Sequence, residues 1–463
     1  MNNKKGGLSM RIWITILIFM LMGSIATNVE SMYLGLYLNN TVFKYGSMGA
    51  SLSLTDTINL ITSLSAVVSG IATFVMGTLS EKLKNRKLFI SIGYILWGVA
   101  MMLFSFVRGG NIGRYFGFTE MSDIITTTAM LVIVFALILA FLRSTTSDAA
   151  FNSWVTDIST PQTSAKIETA FTVIGFVAIG VITYLVSSAQ SGQRDYNEVS
   201  LLLGAMAIVM GALGFVLFEK PRQLKNLKKK KKEDSISWAD LFYGFKPSVI
   251  KKNVNLYLML SSGCLFNCAF QVFYPYLFIY LASVVIPENK SADISPLKVL
   301  FSIILALIVV AIVVLFLMKT YAKSKSFSFI VSVLCLIAGL LILSSTKNII
   351  GIIIGLAPSL IGYIIIMIQF GATVRDNIPK DKVGLFQGIR MIFLVFLPKI
   401  IGPTLGNIAA KNSDVTYMEN GAEKVLPTEA MFLYAAIVAA LIFIPMLAFL
   451  KKDKERALKE ENE

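Results

Sequence analysis

Glu30, Arg143 and Asp148 fall inside long apolar stretches of the chain, where an ionisable group costs at least about 2.5–3.5 kcal/mol and usually faces a bundle interior. A carboxylate kept at that cost can take up and release a cation, either a proton or a sodium ion shared with neighbouring hydroxyls. Asp148 opens the run Asp148-Ala-Ala-Phe151-Asn152-Ser-Trp154, and helical spacing puts Asn152 one turn beyond it on the same face. Phe151, Trp154 and Val155 resume apolar character, which favours a continued helix over a loop that begins near Arg143. Glu30 stands amid Thr27, Asn28 and Ser31. Later in the chain, Gln369 and Arg375 close one apolar stretch, and Arg390 and Lys399 lie in the next; Lys399 is open to either the bundle or the interface, where a long side chain can snorkel. Acids are thus expected in the first half and bases in the second. Arg390 is expected either to pair with Asp148 when no cation is bound or to hold an anionic group of a substrate. Asn267, Gln271 and Tyr274, with Phe273 and Tyr276, offer hydrogen bonds and aromatic faces suited to a polar organic solute. Pro275 beside them is expected to kink its helix.

Other chemistry is excluded by residue type. Histidine is absent from the 463 residues, which removes imidazole bases, proton relays and His-ligated metals. The three cysteines, Cys264, Cys268 and Cys335, lie in apolar stretches and read as core-filling thiols, with no disulfide framework or metal cluster. A Gly-rich loop ending in Lys-Ser/Thr is missing too, so no nucleotide motor is indicated. No enzyme, metal or cofactor is expected, only a coupling ion.

The elements that must position these residues follow from composition. Hydrophobic residues make up 56% and charged residues 15%, against about 25% charged in soluble domains. Apolar runs approach or reach the roughly 20 residues that span hydrocarbon. Twelve spans are expected, at about 12–37, 53–80, 88–107, 124–155, 165–189, 199–218, 253–283, 298–318, 327–345, 349–374, 385–410 and 429–450. Lys220–Lys232, a run of the form KPRQLKNLKKKKK, separates two groups of six. The organisation read from this is an N-terminal six-helix bundle over 1–218, a basic linker over 219–252, a C-terminal six-helix bundle over 253–450 and a tail over 451–463. Within the linker, Ile236–Phe245 suits a short surface helix, and Lys228–Lys232 could meet anionic lipids. Most of the 42 Lys and Arg residues gather in the N-terminus, Lys82–Lys87, Lys220–Lys252, Lys319–Lys325, Arg375–Lys382 and Lys451–Lys459. That asymmetry puts these segments and both termini in the cytoplasm, so the net charge of +15 reports topology and not nucleic-acid binding.

The two groups of six share a short repeat. Phe151-Asn-Ser-Trp-Val155-Thr-Asp157 is matched by Phe370-Gly-Ala-Thr-Val374-Arg-Asp376. Each copy closes the fourth span of its half and precedes a proline, Pro161 or Pro379. Parallel six-span repeats are a transporter design with the substrate between the halves.

The loop after the second span runs Gly77-Thr-Leu-Ser-Glu81-Lys82-Leu-Lys-Asn-Arg86-Lys87. It resembles the signature loop of the major facilitator superfamily. There the glycine lets two helices approach, and the acid, here Glu81, pairs with Lys82, Arg86 or Lys87 to latch one conformation. The equivalent second-half loop, Lys319–Lys325, lacks both glycine and acid. The Asp148–Asp157 segment, with Pro161 and Lys166, resembles span four of the glycoside–pentoside–hexuronide:cation symporters, the melibiose-permease branch. In that branch an Asp at the position of Asp148 helps bind the coupling cation. The chain departs from it at Ser69 and Thr73, where sodium-coupled members carry aspartates. Glu168 falls near a sugar-binding arginine of the branch, and Glu30 lies about a turn from a span-one aspartate.

The resemblance and the buried charges together imply an all-α integral membrane protein of twelve transmembrane helices in two six-helix repeats, with the major facilitator fold. The expected function is cation-coupled symport of a small polar solute such as a sugar or glycoside, by alternating access. Asp148, Glu30, Ser69 and Thr73 are expected to serve the cation, which stays open between proton and sodium. Asn152, Trp154, Arg143, Asn267, Gln271, Tyr274, Gln369 and Arg390 are expected to serve the substrate. Export of drugs or lipids, and a non-transporting membrane sensor, are the alternatives. The expected setting is a monomer in the plasma membrane.

Overall fold

The computed structural model describes residues 8–83, 85–158, 161–218, 246–285, 325–377, 389–390, 392–413, 416–419 and 422–461. Among them, eleven helices are long and apolar enough to cross a bilayer. Six precede the linker: span one Met10–Val42, span two Leu54–Gly77, span three Arg86–Phe104, span four Met121–Val155, span five Val173–Gln190 and span six Tyr196–Leu217. Five follow it: Val254–Tyr280, Phe327–Ser344, Ile349–Met367, Ile392–Asn412 and Ala430–Lys452. The span expected at 298–318, Lys228–Lys232 and the surface helix expected at Ile236–Phe245 lie outside the described residues.

The chain divides into two compact units, Met1–Glu233 with Met418–Lys424 and Asp234–Tyr417 with Val425–Glu463. In each, the outward side chains are large and apolar: Ile71, Val75, Val173 and Val209 in the first, Leu334, Ile354, Ile437 and Ile444 in the second are all exposed. Water would not tolerate such faces; lipid does, and helices satisfy their own backbone hydrogen bonds there.

With lipid outside, small residues let helices approach. In the first unit, spans three and six meet backbone to backbone: a Cβ on Gly98 would lie 2.5 Å from the Gly204 carbonyl oxygen, and one on Gly211 2.6 Å from that of Ser91. The second unit packs Lys325–Ser344 on Ile349–Asn377 in the same way, since a Cβ on Gly339 would lie 2.6 Å from the Gly355 oxygen. The repeated heptapeptides behave alike. Phe151 and Val155 are buried in the first unit, Phe370 and Val374 in the second. Phe151 joins Phe19 and Phe218, and Phe370 joins Phe266 and Phe329.

Several elements extend past their expected ends. The helix of span two continues to Lys82 and the next starts at Arg86, so Gly77–Lys82 is helix and not loop. The final helix, Phe443–Glu461, carries the expected tail as helix. Two four-residue strands, Thr416–Glu419 and Ala422–Val425, pair as a hairpin before the last span, a local exception to the helical plan.

The feature absent from sequence patterning is the π turn, in which hydrogen bonds run over five residues. Span one contains two, Val29–Tyr33 and Leu38–Val42. Span four is α-helical over Met121–Arg143, π-helical over Ser144–Phe151, and α-helical again over Asn152–Ile158. The second unit has π turns at Leu281–Val285 and Ile392–Phe396.

Candidate functional site

The first unit gathers its buried charges around one guanidinium. Arg143 ends the α-helical part of span four, and its side chain is 6% exposed. Its Nε donates to Glu30 Oε2 at 3.3 Å, its Nη1 to Asp148 Oδ2 at 2.8 Å and its Nη2 to Ser69 Oγ at 3.1 Å. Glu30 is as buried as the arginine, at 7%, whereas Asp148 is 29% exposed. Three spans therefore converge: the Val29–Tyr33 turn of span one brings Glu30, span two brings Ser69 and Thr73, and the Ser144–Phe151 turn of span four brings Asp148.

Hydroxyls complete the cluster. Ser144 Oγ lies 2.8 Å from the Ser69 carbonyl oxygen, 3.1 Å from Asp148 Oδ2 and 2.6 Å from Thr73 Oγ1. Thr73 Oγ1 is also 2.8 Å from the Ser69 carbonyl. Charged hydrogen bonds of this kind are the strong ones, and removing one partner of such a buried set is expensive. The expected cation residues Asp148, Glu30, Ser69 and Thr73 are thus brought together. Arg143, expected on the substrate side, stands among them and donates to Glu30, Asp148 and Ser69, so the first half carries its own base. Ser144 was missed; the signal for it was the hydroxyl-rich run Arg143-Ser-Thr-Thr-Ser-Asp148 inside an apolar span.

The remaining first-unit candidates separate. Asn152 is exposed. Trp154 is buried, with its ring 4.7 Å from Phe218 and 6.1 Å from Phe151, and its indole nitrogen has no hydrogen-bond partner among the described residues. An aromatic packing role accounts for the ring, and an unsatisfied donor remains. Gly77 lies against span four, where its Cβ would meet that of Ala149 at 3.8 Å. Arg86 and Lys87 open the first turn of span three. The side chains of Glu81, Lys82, Lys166 and Glu168 lie outside the described residues.

In the second unit, Asn267, Gln271 and Tyr274 share the helix Val254–Tyr280, which contains Pro275. Asn267 Nδ2 donates to the Gly263 carbonyl of its own helix at 2.8 Å. Gln271 packs where Gly402 leaves room, 2.4 Å from the position of an added Cβ. Tyr274 stacks on Phe270 at 4.7 Å, and Phe270 lies 5.0 Å from Tyr363. Gln369 Nε2 donates to Ser328 Oγ, leaving its buried Oε1 without a partner. Arg390 and Lys399 are half-buried; the side chain of Arg375 lies outside the described residues. Cys264, Cys268 and Cys335 are free thiols.

Two units of apolar helices packed through glycines, the first with a cluster of charged side chains among its spans, define a polytopic membrane protein. The chain belongs to the Major Facilitator Superfamily, whose family profile matches residues 12–403. It is a membrane transporter and not an enzyme. No curated protein matches it. Among solved structures, the nucleoside transporter NupG is similar, with a TM-score of 0.63 at 15% identity over 96% of this chain and 99% of that one. A bacterial homolog of the human lysosomal transporter Spinster, inward-facing and unoccupied, gives a TM-score of 0.64 at 11% identity over 96% and 99%. The same protein inward-facing and occupied gives 0.62 at 10% identity over 97% and 98%. At these identities the likeness defines the fold.

Proposed function

We propose that this transporter couples movement of a small polar organic solute, such as a sugar or glycoside, to a monovalent cation by alternating access. The observation that carries the reading is the sharing of Arg143 between Glu30 and Asp148. With both acids ionised, the buried cluster holds one negative charge more than its arginine neutralises, and an uncompensated charge away from water is costly. One proton or one sodium ion brings the cluster to neutrality. Asp148, the most open of the three, is the landing point. Ser69, Thr73 and Ser144 supply the oxygens a sodium ion would need, and a proton needs only the carboxylate.

The substrate side of the reading uses Asn152, Trp154, Asn267, Gln271, Tyr274, Gln369 and Arg390. Unsatisfied polar atoms at Trp154 and Gln369 support a ligand that brings hydrogen-bonding groups. Gly77, Glu81, Lys82, Arg86 and Lys87 serve as the conformational latch. The membrane is the plasma membrane, both termini are cytoplasmic, the protein works as a monomer, and Lys228–Lys232 meets anionic lipid. No cofactor enters the cycle. The stacked rings of Phe270, Tyr274 and Tyr363 support a second reading, export of amphiphilic compounds.

The test is counterflow and gradient-driven uptake in proteoliposomes across a panel of sugars, nucleosides and lipophilic dyes, with sodium and pH gradients imposed separately. Cation-driven accumulation of a polar solute that disappears in Asp148→Ala is the expected outcome. Accumulation that survives intact in that variant overturns the coupling role, and efflux of dyes alone favours the second reading.

A further inference from the structure

Arg143 and Asp148 are five residues apart, and the spacing decides their geometry. Each residue of an α-helix turns the chain by about 100°, so five steps leave two side chains roughly 140° apart, on different faces. In a π turn the hydrogen bonds run over five residues, and side chains at that spacing stack. The 2.8 Å pair exists because Ser144–Phe151 is π-helical. The turn closes where the Asn152 N–H reaches back to the Ser147 carbonyl. Because π turns are rare and tend to mark functional sites, the ion pair is the natural agent holding this one.

The surroundings give the turn a smooth bed. Gly23 of span one and Gly93 of span three lie against it: a Cβ there would come within 2.5 Å of Ser147 Oγ and 2.1 Å of Thr146 Oγ1, respectively. Among the described residues, the charged side chains at the turn are Glu30, Arg143 and Asp148; span two contributes the hydroxyls of Ser69 and Thr73, and span three sets the Tyr94 phenol against Ser147. The helix beyond the turn, Asn152–Ile158, is seven residues long.

We propose that Ser144–Phe151 is the moving part of the site. The turn holds Asp148 on the face of Arg143. When that pair is broken it rewinds into α-helix, swinging Asn152–Ile158 by about 100° around the span axis. The trigger rests on the cation-coupled reading above: a cation that takes Asp148 from Arg143 releases the turn, while Glu30 keeps the arginine neutralised.

Asn152, exposed beyond the turn, reports the register. In a background with Cys264, Cys268 and Cys335 replaced by serine, the thiol of an Asn152→Cys variant is titrated with a small water-soluble methanethiosulfonate. Adding Asp148→Asn is expected to slow labelling at least fivefold. Deleting Ala149 in the Asp148→Asn background removes the extra residue as the turn rewinds, so Asn152–Ile158 keeps its original register and labelling is expected to return to the parent rate. The exchange Arg143→Asp with Asp148→Arg, made together with Glu30→Gln so that the reversed pair meets no second acid, keeps the pair and is expected to label at the parent rate. Unchanged labelling in Asp148→Asn overturns the proposal, as does slow labelling that the deletion leaves slow. If the deletion variant fails to insert, slow labelling in the exchange variant overturns it as well. Labelling that responds to Asp148→Asn but to neither sodium nor pH in the parent keeps the switch and removes its cation trigger.

Discussion

Arg143 and Asp148 face each other at 2.8 Å across a π turn, with Glu30 on the other edge of the same guanidinium at 3.3 Å. Two acids on one base make the arginine the keystone of the first unit, and its neighbours should fail in distinct ways when altered.

Arg143→Ala strands two carboxylates in a buried site. Loss of one partner from a buried ionic set costs about 3–5 kcal/mol, so the thermal unfolding midpoint in detergent should fall by several degrees. Adding Glu30→Gln to Arg143→Ala should restore part of the loss, because only one acid then remains. A double variant no more stable than Arg143→Ala would contradict the shared-arginine account.

Asp148→Asn keeps the size of the side chain and removes its charge. Equilibrium exchange of solute should persist while accumulation against a gradient disappears. Parallel counterflow and gradient-driven uptake separate the two, and retained concentrative uptake would count against Asp148 as the coupling group.

Ser144→Ala removes the hydroxyl that lies between the Ser69 carbonyl, Thr73 and Asp148. A hydrogen bond to a charged group contributes about 1.5–3 kcal/mol. With sodium as the coupling ion, the concentration for half-maximal uptake should therefore rise roughly tenfold or more, with little change in maximal rate. An unaltered cation dependence would remove Ser144 from the site.

Gly98→Ala places a methyl group 2.5 Å from the Gly204 carbonyl oxygen, against backbone that cannot step aside. Overpacking of this kind costs about 1–3 kcal/mol. Gly175→Ala, which meets nothing within 4 Å, is the control. Equal melting temperatures for the two variants would show that spans three and six are not packed through these glycines.

Tyr33→Phe tests the far end of the turn that carries Glu30. The phenol is buried and donates to the Tyr196 carbonyl at 2.8 Å, with Ser200 Oγ at 2.5 Å. Its removal should cost about 0.5–1.5 kcal/mol. Because Tyr33 closes the Val29–Tyr33 turn, cation affinity should weaken along with stability. A stability loss with cation affinity untouched would confine Tyr33 to packing.

By itself the sequence determined the class of protein. Apolar runs long enough to span lipid, few charges and no histidine left little but a helical transporter, because lipid admits few ways of satisfying a backbone. The rarity of charge inside those runs also picked out Glu30, Arg143 and Asp148. Tertiary structure alone decided what they do to one another. Helical winding at about 100° per residue puts side chains five apart on different faces, and Arg390 was one expected partner for Asp148. The π turn breaks that winding over Ser144–Phe151 and turns a five-residue spacing into a contact. Ser144 joined the site for the same reason, and the ring of Trp154 packs against Phe218. A one-dimensional pattern records which residues are costly to bury; which of them share the cost depends on local winding that only packing fixes.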